Sequence, residues 1–163
     1  EAIELSDRVV ILDQGEVVQI GSPNELFEKP RSVLVARFLG HSNFLNAKAL
    51  GTDSGAIILD TAIGRCHLGS QRPAADELAL LVHSDAVRLG VPGERVPHGW
   101  LEAKARVLSS SPAPGGTNLT LSIKDGSLEI FVPENQQTLV QEEMALFIDP
   151  GRCQILEGAA GHA

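Results

Sequence analysis

EAIELSDRVVILDQGEVVQIGSPNELFEKPRSVLVARFLG, residues Glu1 to Gly40, is the stretch on which the reading of the whole chain turns. Glu1 to Leu5 have the texture of a helix, and Ser6-Asp7 closes it. Val9, Val10, Ile11 and Leu12 form an unbroken apolar run, the pattern of a strand covered on both faces. Asp13-Gln14-Gly15 is a turn signal, because glycine takes positive φ without steric cost, and Glu16 to Ile20 returns as a second strand, giving a hairpin. Gly21-Ser22-Pro23 ends that strand and starts a helix. Ser22 can serve as N-cap, Pro23 suits the first helical position, and Glu25 stands three residues after Ser22 as in a capping box. The short helix stops at Lys29-Pro30. From about Ser32 a second helix carries Val35, Phe38 and Leu39 at helical spacing, and Gly40 ends it. A hairpin and helices ordered this tightly are expected to pack against a preceding body of sequence. Glu1–Gly40 is therefore expected to be the end of a domain and not its start, and the missing methionine at position 1 agrees with a piece of a longer polypeptide.

After Gly40 the texture changes to short β-like runs punctuated by Gly, Pro and Ser, with a boundary near His41 to Asn43. Candidate strands are Asn43 to Ala49, Ala56 to Thr61, Arg65 to Leu68, Leu78 to Val82 and Gly99 to Leu108. Thr117 to Ile123, Leu128 to Val132, Met144 to Ile148 and Gln154 to Leu156 continue the series. Short strands at this spacing predict an all-β barrel or sandwich. Pro112 to Gly116 and Lys124-Asp125-Gly126 are turns, the second joining two alternating runs as a hairpin. Gln136-Gln137 and Gly158 to Ala163 are expected to be solvated loop and tail.

Charge excludes one class of partner. Among 163 residues, 21 Asp and Glu face 13 Lys and Arg, a formal net charge of −8, and no basic patch offsets it, so a phosphate backbone would repel the chain. A nucleic-acid-binding barrel would also need aromatic faces on which to stack bases. Phe44, Trp100, Phe131 and Phe147 are few and are expected to be structural core. Cys66 and Cys153 lie far apart without a CxxC or Cys/His spacing, which predicts neither a zinc site nor a disulfide framework but buried or half-buried thiols in a reducing compartment. No run of eighteen apolar residues occurs and no basic-then-apolar leader opens the chain, so a cytoplasmic location is expected.

The residues from Glu1-Ala2-Ile3-Glu4-Leu5-Ser6-Asp7-Arg8-Val9 through Gly15, Gln19, Gly21-Ser22-Pro23, Glu25-Leu26-Phe27 and Pro30 to Val35-Ala36-Arg37-Phe38-Leu39-Gly40 resemble the ATP-binding subunits of bacterial ABC importers. The resemblance is to the branch serving sulfate, molybdate, ferric iron, polyamines and sugars. Ser6 stands where that family often has Ala, and Leu34 where Phe is usual. Leu80-Leu81-Val82-His83-Ser84-Asp85-Ala86-Val87-Arg88-Leu89, and Phe147-Ile148-Asp149-Pro150 with Arg152, resemble blocks of the C-terminal extension of the same subunits, the TOBE domain. His83, Ser84, Asp85 and Ala86 replace the family's Arg-Pro-Glu-Asp.

The resemblance implies a mainly β fold: an OB-like, TOBE-type β-barrel over residues 41–163, preceded over residues 1–40 by a hairpin-plus-helices remnant of an ABC nucleotide-binding domain. Without that domain, residues 1–40 are expected to be disordered, repacked on the β-domain, or engaged in self-association. The P-loop pattern GxxxxGK[ST], the Walker B acids, the signature and the switch histidine do not occur in the sequence. No catalytic residue, cofactor or metal ligand is therefore assigned to this chain, while ATP and Mg are implied for the full-length parent. The implied role is a non-catalytic regulatory and dimerisation module, with a homodimer, the transporter's membrane subunits and the inner face of the cell membrane as its setting. The alternative is a sensing domain for a small ligand, an oxyanion or a metal, with His83, Ser84 and Arg88 as its candidate residues. His83 could contact an anion only when protonated. The bland reading of His83-Ser84-Asp85 is a strand-to-loop corner with local hydrogen bonding. Ser109-Ser110-Ser111 with His98 and Asp125 lacks any nucleophile-positioning motif, and His41, His67, His83, His98 and His162 lack metal-ligand spacing.

Overall fold

The computed structural model describes residues 6–69 and 77–160. The helix expected over Glu1–Leu5, and His162, lie outside the described residues.

The hairpin forms as the sequence indicates. Strand β1 (Val9–Asp13) pairs antiparallel with β2 (Glu16–Gly21). Gln14 and Gly15 between them have φ of 50° and 88°, the two left-handed residues whose twist matches that of the flanking strands. Ile11 is buried against Leu26 and Val35. Val10 and Leu12, however, are 51% and 60% exposed, as are their cross-strand neighbours Ile20 and Val17 at 49% and 57%. The strand expected to be covered on both faces is thus covered on one by the described residues.

Helix α1 (Pro23–Glu28) starts on a complete capping box. The Glu25 N–H donates to Ser22 Oγ at 3.3 Å, and the Ser22 N–H donates to Glu25 Oε2 at 2.9 Å, so two N–H groups without helical partners are satisfied reciprocally. Helix α2 (Val33–Phe38) is capped by Ser32, whose Oγ accepts from the Val35 N–H at 3.3 Å. It ends in a Schellman motif: Gly40, at φ 96°, donates to the Arg37 carbonyl, and His41 donates to the Ala36 carbonyl, each at 3.0 Å. Buried Gln19 bolts hairpin to helices, its Nε2 donating to the Lys29 carbonyl at 3.0 Å while its Oε1 accepts from the Arg31 N–H at 2.9 Å.

Two antiparallel five-stranded sheets follow. Strands β3 (Phe44–Asp53), β4 (Ala56–Thr61), β5 (Gly64–Gly69), β6 (Leu78–Val82) and β12 (Cys153–Glu157) form the first, in the order β12-β6-β3-β4-β5. Strands β7 (Val87–Leu89), β8 (Leu101–Ala113), β9 (Gly116–Ile123), β10 (Gly126–Pro133) and β11 (Glu143–Ile148) form the second, in the order β10-β9-β8-β11-β7. One core lies between them, with Leu45, Leu59 and Leu80 from the first sheet against Leu121, Leu128 and Leu146 from the second. The architecture is an OB-like, mainly β fold. At one seam the buried Asn43 amide substitutes for a ladder rung. Its Nδ2 donates to the Glu129 carbonyl at 2.8 Å and its Oδ1 accepts from the Glu129 N–H at 2.6 Å, which ties the start of β3 to β10.

Strand β6 reads Leu-Ala-Leu-Leu-Val, and all five residues are buried. Leu78, Leu80 and Val82 enter the main core, while Ala79 and Leu81 pack with Leu156 and Ala160 beneath Val33 and Ala36 of α2. Full burial of a leucine side chain contributes about 1.5–3 kcal/mol, so α2 has a real seat on the outside of the first sheet. A parallel bridge between Ser32 and Glu157, and a 2.9 Å hydrogen bond from Gln154 Nε2 to the Pro30 carbonyl, extend that seat. Of the three outcomes expected for the first forty residues, packing on the β-sheet is the one seen for the described part.

Several expectations are corrected in detail. Phe38 and Phe131 are 65% and 48% exposed, because their neighbours Val35 and Ile130 take the inward positions. Strand β8 runs to Ala113, shortening the turn expected at Pro112 to Gly116. The tail is docked as far as Ala160: that residue is buried and the Gly158 N–H donates to the Glu77 carbonyl at 3.1 Å.

Candidate functional site

Among the described residues the chain passes between the two sheets twice, from β6 to β7 through a 3-10 turn at Ser84–Ala86 and from β11 to β12 through another at Pro150–Arg152. Both passages lie at one corner. The Asp149 N–H donates to the Ala86 carbonyl at 2.9 Å, and the Arg152 guanidinium pairs with the Asp85 carboxylate. Local chemistry shapes each turn. Asp149 Oδ1 accepts from the Gly151 N–H at 2.9 Å with Pro150 between them, and the Ala86 N–H donates to the His83 carbonyl at 2.9 Å.

His83 occupies the N-cap position of the first turn, directly after buried β6. Its ring meets that of His41 edge to face, centroids 5.1 Å apart at 88°. His41 in turn stacks on Phe27 at 4.2 Å, and its Nε2 lies 2.9 Å from the Phe27 carbonyl. A carbonyl only accepts, so His41 carries a proton on Nε2. Beside these rings a hollow of about 490 Å³ opens, with Glu28, Lys29, His83, Asp85, Arg152 and Cys153 in its walls. Burial holds the His83 imidazole below its ordinary pKa, partly offset by the Glu28 charge. Burial lowers His41 as well; its hydrogen bond to Phe27 works against this, and His83 adds to it. Burial pushes the Cys153 thiol up to about 12, with Cys66 and Asp149 acting in the same sense, so it stays protonated and is a poor nucleophile.

The three residues singled out from sequence divide at this corner. His83 lines the hollow, and Ser84 is exposed beside it as the first residue of the turn. Arg88 is engaged on β7 with other partners. Its guanidinium grips Glu94 two-pronged, at 2.7 and 3.1 Å, and its central carbon lies 5.0 Å from the Phe147 ring centroid and 5.5 Å from that of Trp100. Glu94 also accepts from the Val91 N–H at 3.2 Å. The Arg88 hydrogen bond holds the Glu94 carboxyl below the usual range, and the same bond raises Arg88.

Comparison with known proteins places these features. No family model matches the chain. The spermidine/putrescine import ATP-binding protein PotA of Nitratidesulfovibrio vulgaris is 33% identical over 130 residues, 77% of this chain and 35% of that protein. PotA of Mycoplasmopsis synoviae is 27% identical over 146 residues, 90% of this chain and 31% of that protein, and PotA of Thermotoga maritima is 32% identical over 92 residues, 55% and 25% of the two. The chain groups with the ATP-binding subunits of ABC importers and matches their C-terminal part.

This importer-subunit segment spans between a quarter and about a third of the length of those curated relatives. Its fold is shared with the cytoplasmic molybdate-binding protein ModG in a molybdate-bound crystal structure, at a TM-score of 0.55 and 11% identity, covering 71% of this chain and 96% of that one. That likeness is one of fold, and it agrees with the OB-like, mainly β architecture. Both described helices start from serine caps, α1 straight after β2 and α2 after Pro30-Arg31, and neither is preceded by a glycine-rich loop that ends in lysine.

Three residues that the sequence did not place at this corner belong to it: His41, Lys29 and Arg152. His41 carried a usable signal, since the residue after a helix-ending glycine is turned back toward its own helix. Lys29 and Arg152 come from segments far apart in the chain, and nothing local announces their meeting.

Proposed function

We propose that this chain is the C-terminal regulatory and dimerisation part of an ABC importer ATP-binding subunit. Residues 1–40 are the remnant of the nucleotide-binding domain, and residues 41–163 are a TOBE-type regulatory domain. The observation that carries the reading is similarity to importer ATP-binding subunits over 77% and 90% of the chain. The helix stop at Gly40, followed by the first sheet from Phe44, supports the division. The outward apolar face of the hairpin, Val10, Leu12, Val17 and Ile20, fits a surface that the nucleotide-binding core covers in the parent. In that parent, ATP and Mg bind outside the residues described, hydrolysis drives solute uptake, and membrane subunits and a second copy complete the assembly on the cytoplasmic side. Among the described residues no helix is long and apolar enough to cross a membrane. The test is twofold. The chain alone is expected to turn over no ATP and to elute as a dimer in light-scattering chromatography. Measurable hydrolysis by the isolated chain refutes the non-catalytic reading, and a monomer at micromolar concentration refutes the dimerisation role.

The second reading, sensing of a small anion, is favoured by the corner hollow, where Lys29, His83 and Arg152 converge. Calorimetric titration with molybdate, tungstate and sulfate separates the two: saturable heat with any of them supports sensing, and none with all three leaves the structural role. A metal has less support, since the described residues hold no group of three or more His, Cys, Asp or Glu placed to bind one.

A further inference from the structure

Two imidazoles meet where the helical segment is fastened to the β-sheets, and the contact between them has no part in either reading proposed above. His41 is placed by the glycine stop of α2, and His83 by the end of β6; the ring of Phe27 from α1 closes the stack. We infer that the Phe27–His41–His83 contact is a proton-sensitive catch, holding residues 22–41 against the sheet corner while both rings are neutral and loosening them on acidification.

The geometry supplies the reason. The rings are in van der Waals reach, half-buried, and the Nε2 proton of His41 is already committed to the Phe27 carbonyl. Charging both would set two cations about one ring width apart. Around His83 stand Glu28 and Lys29 from α1, Asp85 and Arg152 from the two turns, and Cys153 from β12. On the other side of His41 a second hollow of about 430 Å³ is walled by Arg37, Asp125 and Glu129. Burial holds the Cys153 thiol up at about 12.

The sign follows from burial, which lowers both histidines in the docked state. Once undocked, each binds its proton near the ordinary value of about 6.5. The docked state therefore holds fewer protons, and its advantage is full above that value and falls as the pH drops through it toward the depressed ones. Undocking rises by up to about tenfold per pH unit for each histidine that takes up a proton. The seat of α2 on Leu81 carries no titrating group, so acidification weakens the attachment of residues 22–41 without abolishing it.

The test is hydrogen exchange of the 163-residue chain at pH 7.5 and 5.5, read by mass spectrometry and corrected for intrinsic chemistry. Peptides from 24–40 report the catch, and peptides from 119–132 serve as the core reference. Acidification is expected to raise opening of the first set over the second by about 3- to 30-fold. The response shrinks in His83→Gln and vanishes in His41→Asn with His83→Gln, since asparagine keeps a donor for the Phe27 carbonyl. An unchanged ratio in the wild type, or a wild-type response in the double variant, overturns the proposal. An independent readout needs no variant to fold. In an NMR titration of the wild type, both ring protons are expected to show midpoints below the ordinary histidine value, and two ordinary midpoints overturn the catch equally.

Discussion

Replacing Asn43 with alanine removes both hydrogen bonds by which one side chain stands in for a rung between β3 and β10. Each is a short, neutral pair, 2.6 and 2.8 Å, to the main chain of Glu129, and a bond of this kind contributes about 1 kcal/mol net. The two together amount to about 2 kcal/mol. The Glu129 side chain is solvent-exposed, so water can reach its freed main chain, and the larger penalty of a dry unpaired group does not apply in full. In a domain of this size that corresponds to a fall of about 4–8 °C in Tm. Urea unfolding followed by circular dichroism is the assay, with a lowered midpoint and an unchanged slope as the expected result. Asn43→Asp sharpens the test. A carboxylate still accepts from the Glu129 N–H but turns an oxygen on its carbonyl, so this variant is expected to be weaker than alanine at pH 8 and to recover when acid restores an O–H donor. A loss below about 0.5 kcal/mol in the alanine variant, or an aspartate variant as stable as wild type at pH 8, refutes the reasoning.

Leu81→Ala empties the seat of α2 on the first sheet and is expected to cost about 3 kcal/mol, with limited proteolysis before residue 41 becoming faster than in the wild type. Gly40→Ala meets nothing within 4 Å, so its cost is the left-handed backbone alone, about 1–2 kcal/mol; Gly40→Asn should cost less, and thermal melts of the pair decide it. Glu94→Gln removes a carboxylate whose folded pKa is depressed by Arg88. The depressed value means that its contribution is present above the ordinary carboxylate range and lost as the pH falls through the folded value, so the variant is expected to show a flatter acid limb in stability between about pH 5 and 3.

Local chemistry was legible in the sequence. The capping box at Ser22 and Glu25, the turn at Gln14-Gly15 and the strands Ala56–Thr61 and Leu78–Val82 follow from residues within a few positions of one another. Burial was not legible in the same way. Val9–Leu12 and Leu78–Val82 are both unbroken apolar runs, yet β6 is covered on both faces and β1 on one, because coverage depends on what the rest of the chain brings to the second face. Strand β7 escaped notice because three residues carry no period. Of the candidate site, His83 was found because the Leu80–Leu89 block resembles the TOBE domain and His83 stands there in place of the family's Arg. His41, more than forty positions away, was not, since its approach to His83 is set by the docking of α2 and not by spacing. Arg88 looked available because the residues between it and Trp100 give no hint that this loop folds back to offer Glu94.

The corner where both passages between the sheets meet has a topological consequence. Residues 87–148 leave the first sheet and return to it at one point, with entrance and exit pinned together by Asp149 to Ala86 and by Arg152 to Asp85. The second sheet is thus a closed excursion from the body that carries α2. The cost of closing such an excursion grows only with the logarithm of its length. Hairpins such as β8–β9 can therefore lengthen or shorten without moving the corner, leaving the contact between helices and first sheet as a fixed frame on which the outer sheet is free to diversify.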